Sequence, residues 1–417
     1  MRRRVVITGL GLVTPVGNDV ESTWDSLVGG RSGAGPITLF DAADQDVRFA
    51  CEVKDFDPTV AMDRKELKRS DRFVQFSLAT TDQAVRAARL EQALPALPQE
   101  RFGVIVGSGI GGLMTLEDQH LRMLERGPGR VSPFFIPMFI ADMAAGLISM
   151  RYGARGPNYA TVSACSSSAH ALGLAYRSVR SGEADVMIAG GTEATITPLC
   201  LAGFASMKAL STRNDDPATA SRPFDLYRDG FVLGEGAATL VLESLEHAQG
   251  RGAPILAELL GFGQSADAYH ITAPAPEGAG AQVAIRNALA DAETAAGDID
   301  YINAHGTSTP HNDATETAAI KHVFGEHAYD LVVGSTKSMT GHTLGAAGAV
   351  EGAICALICQ RGIIPPTINF EAADPECDLD YAHQGPVQRD VKVAISNSFG
   401  FGGHNVTLVI RQWPGSE

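Results

Sequence analysis

The sequence predicts an α/β protein in which strands are buried between layers of helix. Three observations carry that prediction. Short β-branched runs recur between glycines and are apolar on both faces, as strands covered by helices on each side must be. Helical segments, for example 79–89 and 280–290, fill the gaps between many of these runs. Two stretches also look alike. Residues 164–191 and 336–368 are each a polar loop feeding a helix of very small side chains, which hints at an internal duplication. The polar break 246–253 then marks a seam near residue 250, giving halves 1–250 and 251–417.

Taken in order, the first strand-like run, 5–8, follows three arginines directly. With no apolar signal core or small-residue cleavage site, the start of the chain reads as part of the fold and secretion is not expected. At 63–72, Asp-Arg-Lys-Glu-Leu-Lys-Arg-Ser-Asp-Arg places Lys65, Lys68, Arg69 and Arg72 at i, i+3, i+4 and i+7, one basic stripe on a helix face. Strand 103–106 runs into Gly107-Ser-Gly-Ile-Gly-Gly112. This matches the dinucleotide-binding fingerprint, but no strand ending in an acid follows at the required distance, so it reads as a structural loop. Further strands are expected at 186–189, 237–242, 301–303, 331–333, 391–395 and 406–410.

Composition narrows the function. The chain has 417 residues, 45% hydrophobic and 19% charged, enough to bury a large core. A net charge of −15 argues against nucleic acid as a partner, and an acidic partner would need a local basic patch. No uninterrupted apolar run looks long enough to span a bilayer. The six cysteines show no paired framework, and Cys355 and Cys359 sit among apolar residues, so they read as buried thiols rather than a metal pair. A cytoplasmic protein without metal or cofactor is expected.

The chemistry concentrates in four places. Cys165, in Thr161-Val-Ser-Ala-Cys-Ser-Ser-Ser-Ala-His170, lies at a strand-to-helix turn, where free N–H groups and the helix dipole favour a thiolate. His305 stands in Asn303-Ala-His-Gly-Thr-Ser-Thr309, beside a glycine and three hydroxyls. His342 ends Lys337-Ser-Met-Thr-Gly-His, and Glu351 on the following helix is the acid to pair with Lys337, since a carboxylate among Ala, Gly and Val must be matched. Ser396-Asn-Ser-Phe-Gly-Phe-Gly-Gly-His-Asn405 sets Phe399 and Phe401 among three glycines, which suits an oxyanion-binding and gating loop. One nucleophile and two remote histidines point to covalent acyl chemistry.

These motifs, with Leu210-Ser-Thr-Arg-Asn-Asp and Ser221-Arg-Pro-Phe-Asp, resemble the β-ketoacyl-acyl carrier protein synthases that elongate fatty acids, nearly end to end. The resemblance implies a thiolase-like five-layered αβαβα fold built from two duplicated halves. It implies that Cys165 takes an acyl chain from acyl carrier protein, and that His305 and His342 stabilise the enolate formed when malonyl carrier protein loses CO2. Backbone N–H groups of Cys165 and Phe401 would form the oxyanion hole. By the same resemblance Thr307 and Thr309 hold the pantetheine arm, Lys337 and Glu351 order the site, and Phe401 gates the pocket. Ile110, Phe204 and Phe399 line that pocket. Lys65, Lys68 and Arg69 dock the carrier protein, and the chain forms a homodimer with Ile110 and Phe135 near the interface. Two positions depart from the family's pattern: Ser166–Ser168 with Ala169, where Thr-Ser-Gly-Val is common, and His404 in place of threonine.

A thiolase would need a second catalytic cysteine in a Cys-x-Gly loop, and Cys355, Cys359 and Cys377 do not supply it. A polyketide ketosynthase shares the chemistry with a different client. A non-catalytic chain-length-factor-like partner would lack the nucleophile.

Overall fold

The computed structural model describes residues 2–414. Its large sheet has ten strands: β1 Val5–Val13, β2 Phe102–Gly107, β3 Asn158–Thr161, β4 Val186–Glu193, β5 Gly236–Ser244, β6 Ala257–Ala266, β7 Tyr301–Asn303, β8 Val332–Gly334, β9 Val393–Gly400 and β10 His404–Gln412. Across the sheet they run β8-β7-β9-β10-β6-β1-β5-β4-β2-β3. Each half therefore reads third, second, fourth, fifth, first from its outer edge. The pairing senses repeat as well. β2 is parallel to β3 and β4, while β5 is antiparallel to β4 and β1. Likewise β7 is parallel to β8 and β9, while β10 is antiparallel to β9 and β6. A short antiparallel contact, Val6 with Glu258 and Ile7 with Ala257, joins the halves.

Six helices complete the layers: α1 Arg72–Ala87, α2 Met143–Tyr152, α3 Ser167–Ser181, α4 Ala279–Asp291, α5 Pro310–Phe324 and α6 Ala347–Arg361. α3 and α6 pack on each other between the two halves of the sheet; α1 and α2 cover one outer face, α4 and α5 the other. The result is the expected five-layered αβαβα arrangement. The inner helices are made of small residues because they nearly touch: a Cβ on Gly348 would lie 2.7 Å from the Ala169 Cβ. The stretch Leu344–Arg361 is, by length and composition, apolar enough to cross a membrane, contrary to the sequence expectation. Here it is the core helix, 89% buried, and Glu351 lies within it.

Strand β6 was not anticipated. Its Gly261 and Gly263 weaken the strand pattern, yet a Cβ at Gly263 would sit 2.1 Å from the Ala284 carbonyl oxygen. Glycine lets α4 lie flat on the strand. The basic stripe also needs correction. The helix at Arg64–Leu67 is one turn long, and Asp71 starts a new one by accepting from the Phe73 N–H at 3.3 Å. Arg72 thereby leaves the stripe and turns inward to Glu235, 2.7 Å away. All six cysteines are free and buried. Cys355 and Cys359 direct their thiols at the Ile395 and Ile410 carbonyls, as core thiols do.

Candidate active site

Between β3 and α3 the chain turns sharply, and Ala164 takes a left-handed φ of 51° to make the turn. Such strain in a non-glycine residue persists where its surroundings dictate it. Here the serine run does so. Ser167 Oγ donates to the Ala164 carbonyl (2.7 Å) and accepts from the Ser163 N–H (2.9 Å). Ser168 Oγ accepts from the Ala349 N–H at 2.9 Å, tying α3 to α6. Ser166 Oγ reaches the carbonyls of Ser398 (2.9 Å) and His404 (2.7 Å). The departure from the family pattern is thus fully hydrogen-bonded.

Cys165 is held between both halves. Its Sγ lies 3.0 Å from His342 Nε2. The N–H groups of Phe401 and of Cys165 itself favour the charged form of the sulfur. Burial nevertheless pushes the thiol up to about 11, against the opposing pull of the Lys337 charge and these N–H groups. This corrects the expectation of a ready thiolate: at 8% exposure, desolvation outweighs the helix start. The resting site is a thiol beside a neutral imidazole.

His305 and His342 stand edge to face, ring centroids 5.3 Å apart. Burial, followed by the Lys337 charge, holds both well below the ordinary histidine range. The ligating atoms of Cys165, His305 and His342 all fall within 4.8 Å of one another. A soft divalent metal could use such a trio, but so could one thioester oxygen needing two N–H donors beside a nucleophile. Lys337 and Glu351 form the expected ion pair, both side chains buried. Burial raises the Glu351 carboxyl to about 7.

The site opens into a cavity of about 430 Å³. Ile110, Phe204, Phe399 and Phe401 line it. Thr307 and Thr309 line it too, their hydroxyls 2.9 Å apart. Phe135 does not reach the cavity of its own chain and stacks on Phe139 at 5.8 Å. Lys65, Lys68 and Arg69 are exposed, with Arg69 lying over the Phe134 ring at 4.3 Å.

Residues 2–248 match the family model described as beta-ketoacyl synthase, N-terminal domain, and residues 256–371 match the C-terminal domain. The chain belongs to the beta-ketoacyl synthase family. This synthase is 55% identical over 412 residues to the 3-oxoacyl-(acyl-carrier-protein) synthase 2 of Synechocystis sp., with 99% of each chain covered. It is 51% identical to the protein of the same name from Coxiella burnetii, again with 99% of each covered. Among solved structures it is similar to a beta-ketoacyl synthase from Burkholderia phymatum (TM-score 0.91, 35% identity, 99% and 100% covered). A second is a type II polyketide ketosynthase in complex with its acyl-carrier protein (TM-score 0.91, 34% identity, 99% and 100% covered).

Two carboxylates escaped the sequence reading. Glu316 on α5 accepts from the backbone N–H groups of His305 (2.9 Å) and Gly306 (2.8 Å), and from Asn397 Nδ2 (3.1 Å). It fixes the loop that carries His305. Nothing local in the sequence marked it, since Asp313 shares the same helix and the partners of Glu316 are backbone N–H groups of another loop. Glu193, at the end of β4, accepts from Gly109 N (2.7 Å) and Ile110 N (3.2 Å). The glycine-rich loop therefore turns the N–H groups of Gly109 and Ile110 on the synthase's own carboxylate.

Proposed function

We propose that this synthase performs the decarboxylative condensation of fatty acid elongation, joining an acyl chain on Cys165 to malonyl-acyl carrier protein. One observation carries the reading: a cysteine sulfur 3.0 Å from one histidine, near a second, at a largely apolar cavity. In the first half-reaction Cys165 Sγ attacks the acyl thioester, the bond from the acyl carbon to the pantetheine sulfur breaks, and the Cys165 proton passes to the departing pantetheine thiol. The N–H groups of Cys165 and Phe401 face the developing oxyanion. Losing one such donor costs roughly 3–4 kcal/mol in barrier.

In the second half-reaction malonyl carrier protein enters, and its thioester oxygen meets His305 and His342. Because both imidazoles stay neutral, they donate hydrogen bonds without placing a full positive charge in the pocket. Loss of CO2 leaves an enolate on that oxygen. Its carbon attacks the acyl carbonyl, the C–S bond to Cys165 breaks, and the thiolate recovers a proton. No external cofactor is required, since decarboxylation drives the step.

The acyl carrier protein approaches over Lys65, Lys68 and Arg69, whose exposed charges suit an acidic partner on a chain of net charge −15. Thr307 and Thr309 hold the pantetheine arm. The working form is a cytoplasmic homodimer, which would bring Phe135 to the partner's pocket near Ile110, and each protomer folds as halves 1–250 and 251–417. A polyketide client is the second reading, favoured by the 34% identical type II polyketide ketosynthase. The relatives at 50–55% identity are named 3-oxoacyl-(acyl-carrier-protein) synthase 2, which favours the fatty acid client.

The test is intact mass spectrometry with octanoyl carrier protein followed by malonyl carrier protein, with Cys165→Ala in parallel. Wild type alone should gain an acyl adduct and then release a ketoacyl carrier protein two carbons longer. Failure to accept any fatty acyl group would overturn the fatty acid reading.

A further inference from the structure

We infer that Glu193 is a positioning residue that sets acyl-length selectivity by fastening Ile110 and Leu344, one wall of the cavity from each half of the chain, to a single buried carboxylate. The inference deepens the condensation reading and rests on it.

Glu193 is wholly buried. Its Oε2 accepts from Gly109 N at 2.7 Å and Gly345 N at 3.0 Å. Its Oε1 accepts from Ser108 Oγ at 3.1 Å and Ile110 N at 3.2 Å. Ser108 Oγ in turn accepts from Gly111 N at 3.1 Å, so the hydroxyl relays the carboxylate's hold to the far side of the same loop. Burial lifts this carboxyl to about 7, against the pull of the donors that occupy both its oxygens. Its work is mechanical.

Two loops converge there from opposite halves. One follows β2 and carries Ile110; the other follows His342 and carries Leu344. Both side chains line the cavity that holds Cys165. The loops approach so closely that a Cβ on Gly345 would lie 2.2 Å from Gly109 N and 2.6 Å from Glu193 Oε2. Leu344 holds a left-handed φ of 47°, which a leucine adopts only under constraint, and the bond from Gly345 N supplies a constraint one residue away. The backbone of His342 is secured separately, through its N–H to the Val232 carbonyl and its carbonyl to Gly234 N. Glu193 thus bears on the pocket wall more directly than on the imidazole.

A glutamine at 193 has the same shape but one donor in place of an acceptor. Whichever way the amide turns, its NH2 faces either Gly109 and Gly345 or Ser108 and Ile110. At least one wall residue is released, and the cavity yields to longer chains. A carboxylate that merely supported the fold would lower every acyl substrate alike; a clamp on two wall residues changes their ratio.

The experiment measures kcat/KM for acylation of Cys165 by hexanoyl and tetradecanoyl carrier protein in wild type, Glu193→Gln and Ser108→Ala, together with amide hydrogen exchange at Ile110 and Gly345. The long-to-short ratio should rise about tenfold in Glu193→Gln, the scale of a one- or two-methylene change in pocket fit. It should move the same way, by less, in Ser108→Ala, with exchange faster in both. Equal losses on both chain lengths, with the ratio unmoved, overturn the inference. If Glu193→Gln does not fold, an unmoved ratio in Ser108→Ala does the same. If wild type accepts no acyl chain, the condensation reading fails instead, and unchanged exchange at Ile110 and Gly345 in the variants then refutes the clamp on its own.

Discussion

Replacing Lys337 by methionine tests the buried electrostatics of the site most directly. The pair with Glu351 is 1% and 3% exposed, so removing the lysine strands a carboxylate in the core. Breaking a buried pair on one side costs roughly 3–5 kcal/mol. Spread over 417 residues at roughly 2 cal/mol/K each, that lowers Tm by about 3–6 °C. The deficit should depend on pH. Burial already lifts Glu351 to about 7 with the lysine present, above its unfolded value near 4.5, so its folded form favours the proton. At pH 6 the unfolded carboxyl is already ionised while the folded one keeps its proton, so stability falls by about 1.4 kcal/mol per pH unit. Wild type stops losing near pH 7; the variant, without the lysine's pull, continues toward pH 8, and the deficit widens there. The double variant Lys337→Met/Glu351→Gln should recover most of the Tm and flatten its pH dependence. Thermal melts of the three proteins from pH 6 to 8 provide the check. A double variant as unstable as the single, or a deficit that shrinks with rising pH, would sink the reasoning.

Other outcomes follow from the same geometry. Glu316→Gln turns a donor toward one of three donors, which should cost about 2 kcal/mol and, by shifting His305, reduce condensation at least about tenfold in steady-state assays. Because burial places the Cys165 thiol near 11, its alkylation by iodoacetamide should keep accelerating past pH 9 and level off only near 11; a plateau by pH 8 would contradict that. Ser166→Ala leaves the Ser398 and His404 carbonyls without their shared donor and should cost about 1–2 kcal/mol in urea unfolding. Reversing charge with Lys65→Glu/Arg69→Glu should raise KM for carrier-protein substrates about tenfold at low salt, the difference narrowing as salt screens the patch.

The residues that were legible in the sequence are those whose neighbours are themselves peculiar. Cys165, His305 and His342 each lie in a short run of small and hydroxyl residues, with a glycine beside each histidine, where the chain must turn and present a side chain. Glu351 could be paired with Lys337 because an acid inside a Gly–Ala helix demands a partner. Glu316 and Glu193 gave no such local clue: their partners are backbone N–H groups of distant loops, fixed only once the layers assemble. The basic stripe misled because helical spacing was extended across Ser70 and Asp71, a capping pair that ends one helix and starts the next. β6 was hidden by the glycines that allow α4 to approach. The thiolate expectation failed for a related reason, since the turn around Cys165 was readable but the packing of the second half of the sheet, which buries it, was not.

The repeated strand order has a further meaning for how the molecule comes into being. The nucleophile lies on the half that leaves the ribosome first; His305, His342, Lys337 and the Phe401 N–H all arrive with the half that follows. Until β6 to β10 fold back and α6 settles against α3, the thiol has neither its histidine neighbours nor a complete oxyanion hole, and the cavity stands open on one side. An unfinished chain therefore carries an unarmed cysteine, and reactivity switches on with the last layer of the fold.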